Sequence, residues 1–286
     1  MHFPLALAGL AFFLATTSAH MQLFFPAPFN ASNNPHRTST KADPYLEFPY
    51  NCCGDKDRWM YPCRGYESLL NTPDGLPTAT WHAGEPANFT LWGPTSLGGN
   101  HYGGSCQIGF STDGGTTFHV ATSYEGNCPH RDNGIGPEGQ NFEFMVPSDL
   151  APGVQLFAWI WYNREQELNM NCAAVEIVAP EAQAGAYSAS IAGRPLNGDQ
   201  EVSMPAGQKA RDISVPFNTR PLMFVADNGN DCETPHSTAE LKFPEPGPEV
   251  VLGDGVYPLE LPTGACGQTE MLAKQGYYVE SSNNGP

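Results

Sequence analysis

Short runs of alternating apolar and polar residues fill the middle of the chain, between about residues 87 and 179. Segments rich in glycine, proline and asparagine separate these runs. Alternation with a period of two, bounded by turn residues, is typical of β-strands. The runs are ANFTLWG (87–93), SCQIGFS (105–111), TFHVATS (117–123), NFEFMVP (141–147), VQLFAWIWYN (154–163) and NCAAVEIVA (171–179). We therefore predict a strand in each run, with Asp113-Gly114-Gly115 as a hairpin turn between the second and third.

The fifth run is apolar or aromatic on both of its faces. Its alternating sets are Phe157, Trp159 and Trp161 on one side and Ala158, Ile160 and Tyr162 on the other. A strand with two apolar faces is expected to be covered on both sides. No helical periodicity longer than a turn or two is present. The pattern therefore predicts an all-β protein, a β-sandwich with long connecting loops, over residues 20–179.

The pattern weakens beyond this sandwich. Residues 180–220 are rich in alanine, glycine and serine and are predicted to be a linker or a loosely packed extension. Residues 221–286 form a C-terminal extension in which PLMFVA (221–226) is strand-like.

The first 19 residues read as a secretory signal peptide. Their apolar run is too short to span a bilayer, and Thr17 and Ala19 are small residues of the kind that signal peptidase accepts. No later stretch is apolar and long enough to span, and the C-terminus lacks a hydrophobic tail for a lipid anchor. We therefore expect a secreted, extracellular protein whose first mature residue is His20.

Net charge limits the class of partner. The formal charge is −17, with 30 acidic residues against 13 Lys and Arg. Nucleic acids and anionic membranes both require a basic face, so neither is an expected partner. The sequence also lacks a serine nucleophile elbow, although spacing alone neither shows nor excludes a carboxylate-pair glycosidase.

Eight cysteines in an oxidising compartment indicate disulfides. Connectivity does not follow from sequence alone, but proximity favours Cys106–Cys128. Cys232–Cys266 would close the C-terminal part, and Cys63–Cys172 would tie the N-terminal loop region to the last predicted strand, which leaves Cys52 and Cys53 open. Two sequons, at Asn30 and Asn88, are candidate glycosylation sites of a secreted protein.

An N-terminal histidine is chemically unusual because its α-amine and its imidazole Nδ1 can chelate one metal ion. The amine titrates near pH ~7.7–8.0, so it is readily deprotonated for a metal at neutral pH. One further imidazole completes three nitrogens in a T-shaped plane, an arrangement that favours Cu(II). The best second ligand is His101, because glycines on both sides let the backbone pass close to the site.

Several segments together resemble a known family. His20, GGNHYGGSCQIGFSTDGGTTFHV (98–120), GNCP (126–129) and LFAWIWYN…MNCAAVEI (156–177) are similar to the fungal lytic polysaccharide monooxygenases, closest to the chitin-active auxiliary activity family eleven. The resemblance implies an immunoglobulin- or fibronectin-III-like sandwich and a copper brace formed by His20 and His101. It further implies an external reductant, O₂ or H₂O₂ as co-substrate, and a monomer acting on insoluble polysaccharide, chitin above all.

The sequence departs from that family at the axial copper position. The family has a glutamate, one residue, a tyrosine and then Met-Asn-Cys, whereas this chain reads EQELNMNC. Glu167 matches the glutamate near the open coordination position, and Asn169 stands where the tyrosine is expected. Asn cannot be oxidised as a phenol can, which puts oxidative activity in question. Copper binding is still expected, because both histidines of the brace, His20 and His101, are present. A non-catalytic copper-binding protein and a metal-free, wall-glycan-binding protein on the same fold are the alternatives.

Overall fold

A computed structural model describes residues 20–50, 60–94, 99–179 and 215–267. Four sequence predictions fall partly or wholly outside these ranges. They concern the signal peptide (1–19), the pair Cys52 and Cys53, residues 180–214 of the linker, and residues 268–286 of the extension.

Strands dominate the described residues, as predicted. They are β1 (Gln22–Phe25), β2 (Ala79–His82), β3 (Pro86–Trp92), β4 (Ser105–Ser111), β5 (His119–Glu125), β6 (Asn141–Met145), β7 (Gly153–Tyr162), β8 (Leu168–Val178), β9 (Cys232–Glu233), β10 (Glu240–Leu241), β11 (Val250–Leu252), β12 (Leu259–Glu260) and β13 (Thr263–Gly264). Two 3₁₀ segments, Cys63–Leu69 and Phe217–Thr219, accompany them.

Two sheets form the framework of the protein. One has three antiparallel strands in the order β1-β3-β6, and the other has six in the order β11-β5-β4-β7-β8-β2. All neighbours within the larger sheet are antiparallel except the two edge pairs, β11 with β5 and β2 with β8. All six predicted runs are strands, and β5 begins two residues later than the pattern suggested. The four-residue strands β1 and β2 were missed, because so short a run gives too little alternation to recognise.

The main core lies between the two sheets and is largely aromatic. Phe89 and Phe142 of the smaller sheet stack with centroids 5.0 Å apart. Trp81 at the edge of the larger sheet contacts Phe144 and Phe157 edge-on at 5.2 and 5.1 Å. These contacts join the sheets into the predicted sandwich, with the offset and edge-on geometry that aromatic rings prefer.

Strand β7 is buried on both faces, as its sequence predicted. Phe157, Trp159 and Trp161 lie in the core between the sheets. Ala158, Ile160 and Tyr162 lie in a second core on the opposite face. The loops before β2 and the C-terminal segment 215–267 cover that second face, contributing Phe29, Phe224 and Phe243 among others.

The C-terminal segment packs closely on the sandwich over its described part. Strand β11 extends the six-stranded sheet, and Phe224 and Phe243 are almost completely buried. The prediction that residues 221–226 form a strand is wrong. Leu222 makes only an isolated bridge to His119, in which the Met223 N–H donates to the carbonyl oxygen of Phe118 at 2.8 Å. The N–H of the following residue, Phe224, donates to the side chain of Gln107 at 2.8 Å. A side-chain amide thus replaces the backbone ladder that a strand needs.

Three disulfides join the pairs that the sequence favoured. Cys63–Cys172 ties the loop before β2 to β8, and Cys106–Cys128 ties β4 to the loop after β5. Cys232–Cys266 closes the C-terminal segment. Within the described ranges, no helix has the length and apolarity needed to cross a bilayer.

Candidate metal centre

His20 lies just before β1, with its side chain buried. Only 2% of the residue is exposed, and the edge of its ring contacts Phe48 with centroids 4.1 Å apart. The peptide N–H of His20 donates to the carbonyl oxygen of Gly99 at 3.4 Å. Gly93 passes so close that an added Cβ would lie 2.3 Å from the His20 carbonyl oxygen. The start of the predicted mature chain is therefore held against the loop that follows β3.

His101 is carried by that loop, which runs from Gly99 to Gly104. Its backbone φ is +44° and that of Tyr102 is +59°, left-handed values that non-glycine residues seldom adopt. Such outliers persist only where the surrounding structure enforces them, and they concentrate at functional sites. Because the Gly99 carbonyl accepts the His20 N–H, the fold brings the two predicted ligands into one region.

The two ring nitrogens of His101 have different surroundings. Nδ1 lies 3.4 Å from Oε1 of Glu165. Nε2 is buried and has no hydrogen-bond partner among the described residues. An imidazole whose Nδ1–H faces a carboxylate carries its lone pair on Nε2, as in the carboxylate–histidine–metal triads of metalloproteins. The orphaned nitrogen is therefore suited to a metal ion.

The tight turn between β7 and β8 supplies two carboxylates near His101. The side chain of Asn163 shapes this turn: its amide nitrogen donates to Oε2 of Glu167 at 2.6 Å. Its oxygen accepts the backbone N–H of Glu165 at 2.9 Å and that of Glu167 at 3.1 Å. One potential ligand atom each from His101, Glu165 and Glu167 fall within 4.8 Å of one another. The structure thus brings the predicted Glu167 to His101.

Asn169 is completely buried in β8, opposite Trp161 of β7. With its amide in the orientation that suits its neighbours, the nitrogen donates to the carbonyl oxygens of Glu47 at 3.2 Å and Phe48 at 3.3 Å. Phe48 in turn contacts the His20 ring. Asn169 therefore fastens the segment that packs on His20, and its role as an axial copper residue stays a prediction.

Tyr162, the nearest tyrosine in sequence, does not replace the missing phenol. Its hydroxyl donates to the carbonyl oxygen of Phe224 at 2.8 Å and accepts the N–H of Ala226 at 3.0 Å. Burial also raises the pKa of this hydroxyl well above its ordinary value. Tyr162 belongs to the second core, where it anchors the C-terminal segment.

Two acidic residues near the histidines were missed by the sequence analysis. Glu165 lies two residues before Glu167 and had no motif to distinguish it from a solvated loop carboxylate. Glu47 lies in the segment held by Asn169, and burial raises its pKa while the nearby His20 opposes that rise. Neither proximity is encoded in local sequence, because each depends on packing between distant segments.

The two candidate glycosylation sites lie away from these residues in the chain. The Asn30 amide donates to the Tyr66 hydroxyl at 3.1 Å, and the Asn88 amide donates to Asn141 at 2.7 Å. Glycosylation at both stays a prediction.

Fold and site together define an all-β protein with two buried histidines from distant parts of the chain, His20 and His101. A carboxylate, that of Glu165, lies next to Nδ1 of His101. No family model matches the chain. A protein of Aspergillus fumigatus named AA11 family lytic polysaccharide monooxygenase A is 32% identical over 219 residues, covering 76% of this chain and 78% of that protein. This chain therefore belongs to the AA11 family of lytic polysaccharide monooxygenases, as its resemblance predicted.

Two further relatives carry the same family name. The lytic polysaccharide monooxygenase B of Aspergillus fumigatus is 27% identical over 255 residues, covering 84% of this chain and 50% of that protein. One from Aspergillus oryzae is 31% identical over 159 residues, covering 51% of this chain and 32% of that protein. The chain thus matches half or less of these two longer proteins.

Solved structures give weaker likenesses. "CvAA9A" is 14% identical, with a TM-score of 0.28 over 40% of this chain and 63% of that chain. A cellulose-active polysaccharide monooxygenase from M. thermophila is 14% identical, with a TM-score of 0.27 over 37% of this chain and 55% of that chain. Likenesses this low carry no weight for fold or function.

Proposed function

We propose that this protein is a secreted, copper-dependent monooxygenase that oxidatively cleaves chitin or a related crystalline β-1,4-glycan. The observation that carries the proposal is the state of His101: Nε2 is buried without a hydrogen-bond partner in the described part of the chain, and Nδ1 faces Glu165. A buried polar atom left in this way needs a partner, and a metal ion is one.

The residues fit a histidine brace. Cleavage after Ala19 would convert the His20 N–H, now 3.4 Å from the Gly99 carbonyl, into an amine beside the same imidazole. That amine, Nδ1 of His20 and Nε2 of His101 would supply three nitrogen ligands, the donor set that Cu(II) prefers among first-row metals. A bound copper ion would supply the one-electron redox chemistry by which an external reductant and O₂ or H₂O₂ oxidise a C–H bond beside a glycosidic linkage.

The surrounding side chains would each act on this centre in a defined way. Glu165 would hold the His101 ring in one tautomer and one orientation through Nδ1. Glu167, fixed by Asn163, would place a carboxylate where a proton can be accepted or released during oxidation. Phe48 and the buried surroundings of His20 would keep water from the brace on its inner side.

The proposed substrate class rests on family membership and on the surface beside His101. Tyr102, the next residue in the loop, is 70% exposed although it is aromatic. An exposed aromatic ring next to a metal centre offers a flat contact for a sugar ring. An insoluble polymer bound across such a surface, by a monomeric and secreted enzyme, is the arrangement we favour.

A specific observation favours a second candidate, a copper-binding or wall-glycan-binding protein without turnover. Asn169 stands in place of the expected axial tyrosine and is committed to the carbonyl oxygens of residues 47 and 48. Tyr162, the tyrosine nearest in sequence, hydrogen-bonds to the C-terminal segment and does not take the axial role. The brace would then bind copper but lack a side chain that protects it during oxidation.

The decisive experiment uses the secreted mature protein and a His101→Ala variant as its matched control. Intact-mass analysis should place the N-terminus at His20. Copper-loaded protein, given chitin, a reductant and H₂O₂, should release oxidised oligosaccharides that mass spectrometry detects, whereas His101→Ala should release no more than free copper does. Tight copper binding with no oxidised product from chitin, cellulose or hemicellulose would refute the enzyme and support the second candidate.

A further inference from the structure

The C-terminal segment touches the loop that carries His101. The backbone N–H of Gly104 donates to Oε1 of Glu240, in β10, at 2.9 Å, across 136 positions of sequence. Ser105, the next residue, donates its hydroxyl to the carbonyl oxygen of Leu241 at 2.6 Å. The two residues of β10 thus bond to the last residue of the histidine loop and to the first residue of β4.

Glu240 is a buried carboxylate with hydrogen bonds to both oxygens, and Oε2 accepts one from the Arg131 guanidinium at 3.3 Å. Its side chain is 1% exposed. Besides the Gly104 N–H, Oε1 accepts the backbone N–H of Asn127 at 3.1 Å and a guanidinium N–H of Arg131 at 3.1 Å. A buried carboxylate is stable only when its charge is paired and its lone pairs are satisfied, and this one meets both conditions.

Arg131 extends the same contact to Tyr102, two residues before Gly104. Its guanidinium also donates to the carbonyl oxygen of Tyr102 and, at 2.8 Å, to each oxygen of Asp254. Glu240 and Arg131 together therefore bond to the loop on both sides of Gly103, immediately after His101.

Opposite Glu240, the loop rests on the sandwich. The indole N–H of Trp161 donates to the carbonyl oxygen of Gly103 at 3.0 Å. A Cβ added to Gly104 would lie 2.2 Å from the carbonyl oxygen of Tyr162, and one added to Gly103 would lie 2.6 Å from Oε1 of Glu240. The loop is thus clamped between β7 and the C-terminal segment, where its four consecutive residues 101–104 have positive φ and the first two of them are not glycine.

From this geometry we infer that Glu240 is a positioning residue: it holds the His101 loop so that Nε2 of His101 points at the metal position. The C-terminal segment is then a working part of the metal centre rather than an accessory extension. The inference rests on the proposed function where it concerns copper, but the clamp on the loop is a property of the apo protein.

Two conservative variants of Glu240 separate the effect of side-chain length from the effect of charge. Glu240→Asp keeps the charge but is one methylene shorter, so it no longer spans to the Gly104 and Asn127 N–H groups. Glu240→Gln keeps the length and one acceptor oxygen but loses the charge that faces Arg131. Glu260→Asp, an exposed carboxylate of the adjoining strand β12, is the matched control.

Copper affinity by calorimetry and the Cu(II) EPR spectrum are the first measurements. Glu240→Asp should weaken copper binding by on the order of 10- to 100-fold and shift the copper hyperfine coupling, as loss of an outer-shell partner does in other metal sites. Glu240→Gln should weaken it less, and Glu260→Asp should match the wild type. A wild-type affinity and spectrum in folded Glu240→Asp would overturn the inference, as would a larger loss in Glu240→Gln than in Glu240→Asp.

Hydrogen–deuterium exchange of the apo proteins tests the clamp without any metal. A peptide covering residues 99–105 should exchange about fivefold faster in Glu240→Asp than in the wild type, and one covering β11 should not change. Unchanged exchange at 99–105 would overturn the inference. If the wild type binds no copper but this loop loses protection in Glu240→Asp, the proposed function fails and the clamp of Glu240 on the loop stands.

Discussion

At the candidate metal centre, the hydrogen bonds of single side chains set the orientation of the residues around them. His101 turns Nδ1 to Glu165 and leaves Nε2 without a partner among the described residues, so its two nitrogens are not equivalent. Asn163 uses both ends of its amide to shape the turn that carries Glu165 and Glu167. The position of His20 after a predicted cleavage site and that of His101 among glycines were visible in sequence, whereas the role of Asn163 was not, because an asparagine in a turn has many equivalent uses.

One histidine outside the centre should make stability depend on pH. His130 stacks on Phe142 with centroids 4.4 Å apart, and burial lowers its pKa below the ordinary value of 6.5. The folded state therefore binds this proton more weakly than the unfolded chain does. By linkage, the free energy of unfolding decreases as pH falls from about 6.5 towards the lowered pKa, and it is unaffected by this group above that range.

The His130→Phe variant tests this linkage, because it retains a stacked ring but does not titrate. Chemical denaturation of the metal-free proteins between pH 7 and pH 5 should show a smaller loss of unfolding free energy for His130→Phe than for the wild type. Equal losses in the two proteins would show that His130 is not responsible.

At the scale of elements, the histidine loop owes its shape to the strands on either side of it. Gly104 has a φ of +118°, and a Cβ there would lie 2.2 Å from the Tyr162 carbonyl oxygen and 2.7 Å from the Trp161 indole nitrogen. Strand β7 packs against a core on each face, so it cannot shift away from an added Cβ. Gly104 is therefore required by the close approach of the loop to the backbone of β7.

Substituting Gly104 should be far more harmful than substituting a glycine in an open turn. Gly104→Ala should lower the free energy of unfolding by about 3 kcal/mol or more, because it combines an unfavourable φ with a backbone clash. Gly114→Ala is the control: its φ is +75° but nothing lies within 4 Å of the added Cβ, so about 1 kcal/mol is expected from backbone strain alone. Equal losses, measured by urea denaturation, would contradict the clamp.

At the scale of the molecule, disulfides hold distant parts of the chain around the two cores. Cys63–Cys172 spans 109 residues and joins the loop before β2 to β8, whereas Cys106–Cys128 spans 22 residues. Loop-closure entropy in the unfolded chain predicts that the longer cross-link stabilises more.

Removing each disulfide in turn tests that ranking. The double variant Cys63→Ala/Cys172→Ala should lose about 4 to 5 kcal/mol of unfolding free energy, and Cys106→Ala/Cys128→Ala about 3 kcal/mol. Denaturant titrations of both variants, compared with the wild type, provide the measurement. A greater loss from the shorter loop would mean that local packing outweighs chain entropy here.

The sequence by itself determined what depends on local pattern. Alternating residues predicted the six main strands, the two apolar faces of β7 indicated that it is covered on both sides, and proximity favoured the Cys106–Cys128 disulfide. The predicted cleavage before His20 and the glycines around His101 selected the two histidines, because both signals lie within a few residues of the group concerned.

Only the tertiary structure decided what depends on contacts across long stretches of sequence. It places Glu165 next to Nδ1 of His101. It also shows Asn169 hydrogen-bonded to the carbonyl oxygens of residues 47 and 48, and the Tyr162 hydroxyl hydrogen-bonded to the C-terminal segment. It also brought Glu240 to Gly104 across 136 positions. Side-chain period and turn chemistry act over neighbouring residues, whereas these contacts arise from the packing of segments whose separation no local pattern records.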